Sequence, residues 1–459
     1  MKKKQMRSVL WVLYTLMLDA CGGARVPTFD HNPTPATVEK SSAFNENISI
    51  AIAPFEGRES GAAPLNFTAI IAADLNSSGR FSPSVIEDIE VPSDPADDTM
   101  SVEYKKWRMR GIPYFVLGKI QKNLKDATGI YAIRFQLFDA YQGEMLIGYE
   151  LNAQKEDLRR RAHDVSDLIY EALAGSRGVF ATRIAFVTKR RDVKANDQYA
   201  VEIADADGAN SRSIVVSPEP LLAPVWSPDG RDIAYVTLET HHPQIYLQQL
   251  ATGRRRLLAD LTFLTSTPAW SPDGNKLALS LAQKSKPGIY VMDVHTKTLQ
   301  CAICRPGITA DPAWSPDGKS LVYTSDQNGS ERIYQFNLAT AEDRPLTLVG
   351  RRNHHPVFSP DGLFLAFIVH TEDNRDRIAV MEMATRQVRI VDDTEGVTTL
   401  SVAPNGRMLL YATNIIQGGK QKSVLYTISL DGHVKRLVSF ADADIGEPAW
   451  SPWGVRNGK

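Results

Sequence analysis

Six short apolar runs punctuate the C-terminal two thirds of the chain, at 184–188 (IAFVT), 233–237 (IAYVT), 277–281 (LALSL), 321–325 (LVYTS), 365–369 (LAFIV) and 409–413 (LLYAT). Each is nearly continuous instead of alternating with polar residues. Runs of this length and kind predict strands covered on both faces. A second series follows in phase, at 198–203, 244–247, 288–291, 332–335, 377–380 and 424–427, and four of these six carry an Ile-Tyr or Leu-Tyr pair. Each predicts a third strand leading to a turn and a fourth.

A pentapeptide stands before five of the first runs. It reads WSPDG at 226–230, 270–274 and 314–318, FSPDG at 358–362 and VAPNG at 402–406, and a sixth copy, WSPWG, lies at 450–454. First positions are spaced 44, 44, 44, 44 and 48 residues apart. Ser, Pro and Gly occupy the first, second and fourth positions of a tight turn, where Pro presets φ and Gly makes positive φ cheap. The aromatic residue ends one strand and is placed to pack between neighbouring sheets. A fixed period in the forties with one four-stranded sheet per repeat predicts a β-propeller. The run at 184–188 lacks a preceding pentapeptide, and the copy at Trp450 has almost no chain after it. Residues 445–453 are therefore expected to supply the first strand of the blade begun at 183. That closes the ring, leaves no open sheet edge and makes six blades.

The region before the repeats predicts a small mixed α/β domain. A strand is expected at 48–55. Phe67, Ile70, Ile71 and Leu75 share a helical face that stops at Gly79. Residues 90–101, acidic and Pro-containing, read as a loop, and 114–120 as a strand. Segments 131–138 and 145–151 form a hairpin. Val165, Leu168, Ile169, Ala172 and Leu173 mark an amphipathic helix leading into the propeller.

The first residues change the picture of where the chain resides. Lys2, Lys3, Lys4 and Arg7 precede the apolar run 8–18 (SVLWVLYTLML), which is too short to span a bilayer but fits a secretory signal. The sequence LDACGG at 18–23 resembles a lipobox, which makes Cys21 a candidate for lipidation, although Asp19 is unusual in one. Cleavage after Ala24 is the alternative. Both export the protein, and no other stretch approaches spanning length. The expected organisation is a signal peptide at 1–24, a flexible Pro/Ser/Thr-rich extension at 25–46, the α/β domain at 47–178 and the propeller at 179–459.

Composition is ordinary for a globular protein: 43% of the 459 residues are hydrophobic and 23% charged, and the formal net charge of −1 offers nucleic acid nothing. Candidate chemistry is sparse. No G-x-S-x-G or H-E-x-x-H occurs. Gly318, Lys319 and Ser320 mimic the end of a phosphate loop, but Ala313 replaces its first glycine. Asp205, Asp207 and Gly208 resemble the start of a calcium loop, yet Ala209 stands where a third ligand is needed, so a strand turn is expected. Cys301 and Cys304 form an isolated C-x-x-C, read as a local disulfide or two thiols in an inter-blade loop. His241-His242 and His354-His355 are adjacent pairs. Neighbouring side chains of an extended chain point to opposite faces, so neither pair is expected to chelate a metal. No catalytic residue, metal or cofactor emerges, and function is expected in surface recognition by loops on one propeller face.

Residues 48–454 resemble the TolB family, propeller proteins of the Tol–Pal system of Gram-negative bacteria. The likeness includes the pentapeptide order with its weakened fifth copy and its terminal Trp450. It also includes the stretches outside the repeat, Ala72-Ala73-Asp74-Leu75 with Ser78 to Phe81, and Ser217-Pro218 with Pro220-Leu221. The resemblance implies a monomeric, non-enzymatic periplasmic adaptor. It would bind the peptidoglycan-associated lipoprotein Pal across the propeller entrance and TolA through its extended amino terminus, and would support outer-membrane integrity and constriction at division. Other outer-membrane proteins are further candidate partners. Carried onto this chain, the entrance positions are Leu264, Thr265 and Ser266; Thr309, Ala310 and Asp311; Asn353, His354 and His355; Thr398 and Thr399; and Glu447. The chain departs from the family at Leu264, where members carry a histidine, and the TolA-binding strand is not recognisable in residues 24–44. Two other readings stay open. One is an exported propeller holding a small ligand or metal in its central channel. The other is a relative of the prolyl-oligopeptidase propellers without the catalytic domain, for which 459 residues leave no room.

Overall fold

The computed structural model describes residues 47–454 except 58–64, 87–98, 123–129, 192–196, 283–285, 395, 418 and 439–442. The expected signal peptide with Cys21, the expected extension at 25–46 and most of the expected acidic loop lie outside the described residues. Within them no helix is long and apolar enough to cross a membrane.

The amino-terminal domain is a six-stranded mixed sheet with helices on both faces. Its strands are β1 (Ile48–Ile52), β2 (Glu56–Gly57), β3 (Phe81–Val85), β4 (Tyr114–Lys122), β5 (Tyr131–Asp139) and β6 (Glu144–Ala153), in the order β3-β1-β4-β5-β6 with β2 beside β4. Helices α1 (Phe67–Ser77) and α3 (Leu158–Ala174) cover one face through Ile71, Leu75, Val165 and Ile169. Helix α2 (Thr99–Met109) covers the other, where Trp107 stacks on Phe115 and Phe115 on Phe138. Three elements were absent from the sequence reading, among them the two-residue β2. Helix α2 replaces the end of the loop expected at 90–101. Strand β3 carries Pro83, which an edge strand tolerates because one side of its backbone needs no partner.

Six four-stranded antiparallel sheets form the propeller. The first blade holds β7 (Arg183–Arg191), β8 (Asp197–Asp205) and β9 (Arg212–Ser217), and its innermost strand is Asp444–Trp450 from the end of the chain. The ring closes as expected, without a covalent link. Trp450 Nε1 donates to Thr182 Oγ1 at 2.8 Å, and Ser451 exchanges hydrogen bonds with the Arg183 backbone.

The pentapeptide turns repeat in atomic detail. Ser227, Ser271, Ser315 and Ser359 each donate to the Asp two residues on, at 2.5–2.6 Å, and accept the amide five residues on. These bonds outweigh burial and hold the Asp229 carboxyl below its usual range. Trp226 and Trp314 donate their indole N–H to Ala449 and Ala269 of the preceding blade, so the aromatic position bridges blades. The turns also meet around the ring: a Cβ on Gly230 would stand 3.3 Å from Pro452, and one on Gly362 3.6 Å from Pro316. Cys301 and Cys304 are disulfide-bonded and lie on the outer strand Leu299–Cys304, not in an inter-blade loop.

The amino-terminal domain sits on the pentapeptide face beside the first and sixth blades. Asp167 accepts the amide of Phe180 at 2.8 Å, and the Trp453 indole donates to Gly178. His163, 1% exposed, bonds through Nδ1 to Asp74 at 2.7 Å, and Ser166 donates to the same Asp74 oxygen. Burial pulls the imidazole pKa down, but the bond to Asp74 and the charges of Asp74 and Asp207 prevail and raise it. A raised folded-state pKa means that this stabilisation is full below the unfolded value and is lost as pH rises through the folded one. Asp74→Asn should therefore destabilise most at pH 6, by about 3 kcal/mol for a broken buried pair. The gap from wild type, read by urea unfolding, should narrow toward pH 8. A gap independent of pH would show that His163 is neutral throughout.

Candidate functional site

Topology places the channel mouth. Each innermost strand runs from the loop entering the blade to its pentapeptide, so it begins on the face opposite the amino-terminal domain. The sequence-derived entrance residues lie at these beginnings, which brings residues from five blades to one rim.

Four innermost strands carry the same irregularity. Ala223, Asp311, His355 and Glu447 have φ of 49–56°, each immediately before a proline, and each sits at a register shift against the second strand. The innermost strand is an edge, so the proline costs no ladder bond. The bulge twists the strand and re-aims the residue ahead of it. Left-handed geometry is costly for a non-Gly residue. Here it is held by bonds between blades. Glu447 accepts the amide of Ala223, Ser266 that of Asp311 at 3.1 Å, and Asp311 that of His355 at 3.3 Å. Each side chain on the rim thus fixes the backbone of the next blade. The fifth pentapeptide strand, Thr399–Val402, has no proline at this position and no bulge.

This geometry corrects the expectation for His354-His355. The left-handed turn at His355 breaks the alternation of an extended strand. The two rings stand 6.3 Å apart at 84°, and their nitrogens converge with the Asp311 carboxylate instead of pointing to opposite faces. His355 Nδ1 lies 3.6 Å from Asp311 Oδ1. Burial against the channel wall lowers the His354 pKa to about 4, against the pull of Asp311. Burial also raises Glu447 to about 7, while the Ala223 amide works the other way. No such convergence involves His241 and His242, since His242 pairs with Asp260 on the outer rim.

The remaining entrance residues divide by burial. Thr265 is exposed and bonds Ser280, and Leu264 bridges to Leu281. Ala310 is half-buried beside Asp311, and Thr398 is exposed beside half-buried Thr399. Thr309 is buried, and its carbonyl accepts Ser280 Oγ at 2.6 Å. Asn353 is fully buried, donating to the carbonyls of Val349 and Arg352. It braces the loop and is not on the entrance surface, a correction that follows from its saturated amide. Sequence reasoning missed three exposed apolar side chains on this face, Phe263 at 40% and Leu348 at 69% exposure on loops and Ile416 at 83% near the end of the strand Met408–Gln417. Nothing in the repeat marked them, because they lie outside the in-phase strand signals, in loops or in the extension of a strand beyond them. An X-Pro step before the Trp or Phe accompanies each of the four bulges but does not suffice for one, since Thr267-Pro268 before Trp270 has neither the register shift nor the left-handed backbone.

A rim of polar and ionisable groups around an opening, flanked by exposed apolar residues, can bind a protein segment. Comparison with known proteins agrees with the architecture. The family profile for the TolB beta propeller domain matches residues 170–454, and that for the TolB amino-terminal domain matches residues 36–146. The chain is 48% identical over 417 residues to the Tol-Pal system protein TolB of Nitrosococcus oceani, covering 91% of this chain and 93% of that one. It is 47% identical over 423 residues to the protein of the same name from Hydrogenovibrio crunogenus, covering 91% and 94%. The crystal structure of TolB from Acinetobacter baumannii superposes with a TM-score of 0.80 at 31% identity, over 91% of this chain and all of that one. Matched in both domains and along nine tenths of its length, the chain belongs to the TolB family.

Proposed function

We propose that this protein is a non-enzymatic periplasmic adaptor of a Tol–Pal system. It binds the peptidoglycan-associated lipoprotein at the propeller mouth and TolA through the segment before residue 47, and so contributes to outer-membrane integrity and to constriction at division. The observation that carries the reading is the rim itself. Asp311, His355 and Glu447 are held in left-handed bulges at the rim, and Phe263, Leu348 and Ile416 stand exposed on the same face. Strained conformations persist where surrounding structure over-determines them, and they cluster at binding sites. The amino-terminal domain occupies the opposite face and leaves the mouth free for a partner. The Tol-Pal name of the relatives supports a partner within that system.

The test is a pull-down of the mature protein against the soluble domain of the cognate lipoprotein. Retention at micromolar concentration is expected. No retention at that concentration would remove the adaptor reading. The intact mass of the mature amino terminus will separate a lipidated Cys21 from cleavage after Ala24.

A further inference from the structure

We infer that Asp311, His354 and His355 form a binding site for a divalent transition ion of the zinc class at the mouth of the channel. Each residue offers one ligand atom, and the three atoms lie within 4.8 Å of one another. Two ligands of a tetrahedral ion, with bonds near 2.1 Å, stand about 3.4 Å apart. The 3.6 Å between His355 Nδ1 and Asp311 Oδ1 already approaches that spacing. The His354 nitrogen, within 4.8 Å of both, completes the set of three.

The arrangement is built around the cluster. Asp311 Oδ2 accepts Thr324 Oγ1 at 3.1 Å and the His355 amide at 3.3 Å. These two bonds fix the carboxylate and leave Oδ1 turned to the imidazole. Support of this kind orients metal ligands and sharpens affinity. The bulge at His355 supplies what an ordinary strand denies, two consecutive imidazoles on one side. Two nitrogens and one carboxylate oxygen suit Zn2+, Co2+ or Ni2+, whereas Ca2+ and Mg2+ require sets of oxygens. Three protein ligands leave a position for water or for a group of an incoming partner.

A second cluster, His163 with Asp205 and Asp207, has the same spacing. Its carboxylates are already paired with Arg159, so its charge is met without an ion. The proposal at the mouth stands apart from the adaptor reading, and its test uses no lipoprotein.

The tag-free mature protein is titrated with Co2+ at neutral pH and followed by visible absorption. One equivalent should bind, giving ligand-field bands that Zn2+ abolishes and excess Ca2+ leaves unchanged. His354→Ala, His355→Ala and Asp311→Asn should each weaken binding about 10–100-fold, while His242→Ala should not. Circular dichroism checks that each variant is folded. Protection carries the same test without substitution: Zn2+ should slow modification of His355 by diethyl pyrocarbonate, read by peptide mass mapping. No saturable bands up to about 1 mM Co2+, bands retained in the His354→Ala/His355→Ala double variant, or unchanged modification of His355 would each overturn the site.

Discussion

Deleting residues 444–459 should leave no folded propeller. The deletion removes the innermost strand of the first blade, including Ile445, Ala449 and Trp450, all at most 8% exposed. Strand β7 would lose its partner along the register from Asp444↔Lys189 to Trp450↔Ile184. Two cores open together, because Ile445 and Trp450 pack with the sixth blade while Ala449 packs beside Trp226 of the second. The smaller change Trp450→Ala alone should cost about 3–5 kcal/mol, a cavity term plus the lost indole bond to Thr182, whose hydroxyl still donates to Val179. Whole domains are stable by only about 5–15 kcal/mol. The full deletion therefore exceeds what the fold can lose, and an exposed β7 edge invites association. Size-exclusion chromatography should show aggregate, and urea unfolding should show no cooperative transition. A monomeric, cooperatively unfolding deletion would mean that the terminal strand is not what closes the ring.

The second large effect concerns recognition. Asp311→Lys combined with His354→Glu reverses the charge pattern at the centre of the rim. Alteration of central, well-held interface residues costs about 2–4 kcal/mol or more, so affinity for the lipoprotein should fall at least about 30-fold. The melting temperature should fall by a few degrees, because Asp311 gives up its bonds to Thr324 and to the His355 amide, but no apolar core cluster is disrupted. The result is read by calorimetric titration of both proteins at one salt concentration. Unchanged affinity would take these two positions out of the partner surface.

The scaffold was legible because a repeat averages over its own exceptions. The Trp and Phe positions, the Ser-Pro-Asp-Gly turns and the apolar second strands recur in phase, and each has a mechanical reason that the structure displays at Ser227, Ser271, Ser315 and Ser359. Even the displaced final copy at Trp450 was informative, since its missing partner had to lie at the start of the ring. Elements outside the repeat were read less completely. Pro83 hid β3, because a proline argues against a central strand and gives no sign of an edge. Helix α2 went unread beside an acidic, Pro-containing run that resembles a loop.

The rim positions of the candidate site were legible in the sequence, but their geometry was not. Counting back from the pentapeptides located Asp311, His354, His355 and Glu447. It could not show that three of them adopt left-handed backbone, because Asp, His and Glu give no local demand for it. The conformation is imposed from outside, by prolines on an edge strand and by bonds from the neighbouring blade. The same cause defeated the rule that adjacent strand residues face apart, and with it the expectation that His354 and His355 could not converge. Asn353 failed in the opposite sense: its place in the chain is at the rim, but its amide is consumed inside the loop.

The central claim is that the channel mouth, on the face away from the amino-terminal domain, receives the partner. Hydrogen–deuterium exchange of the mature protein, with and without saturating lipoprotein domain, tests it most directly. Slowed exchange is expected in peptides covering 263–266, 309–311, 353–355 and 398–399, with none at the pentapeptide turns near Asp229 or Asp317. Protection confined to the pentapeptide face or to the amino-terminal domain, with the mouth unchanged, would contradict the account.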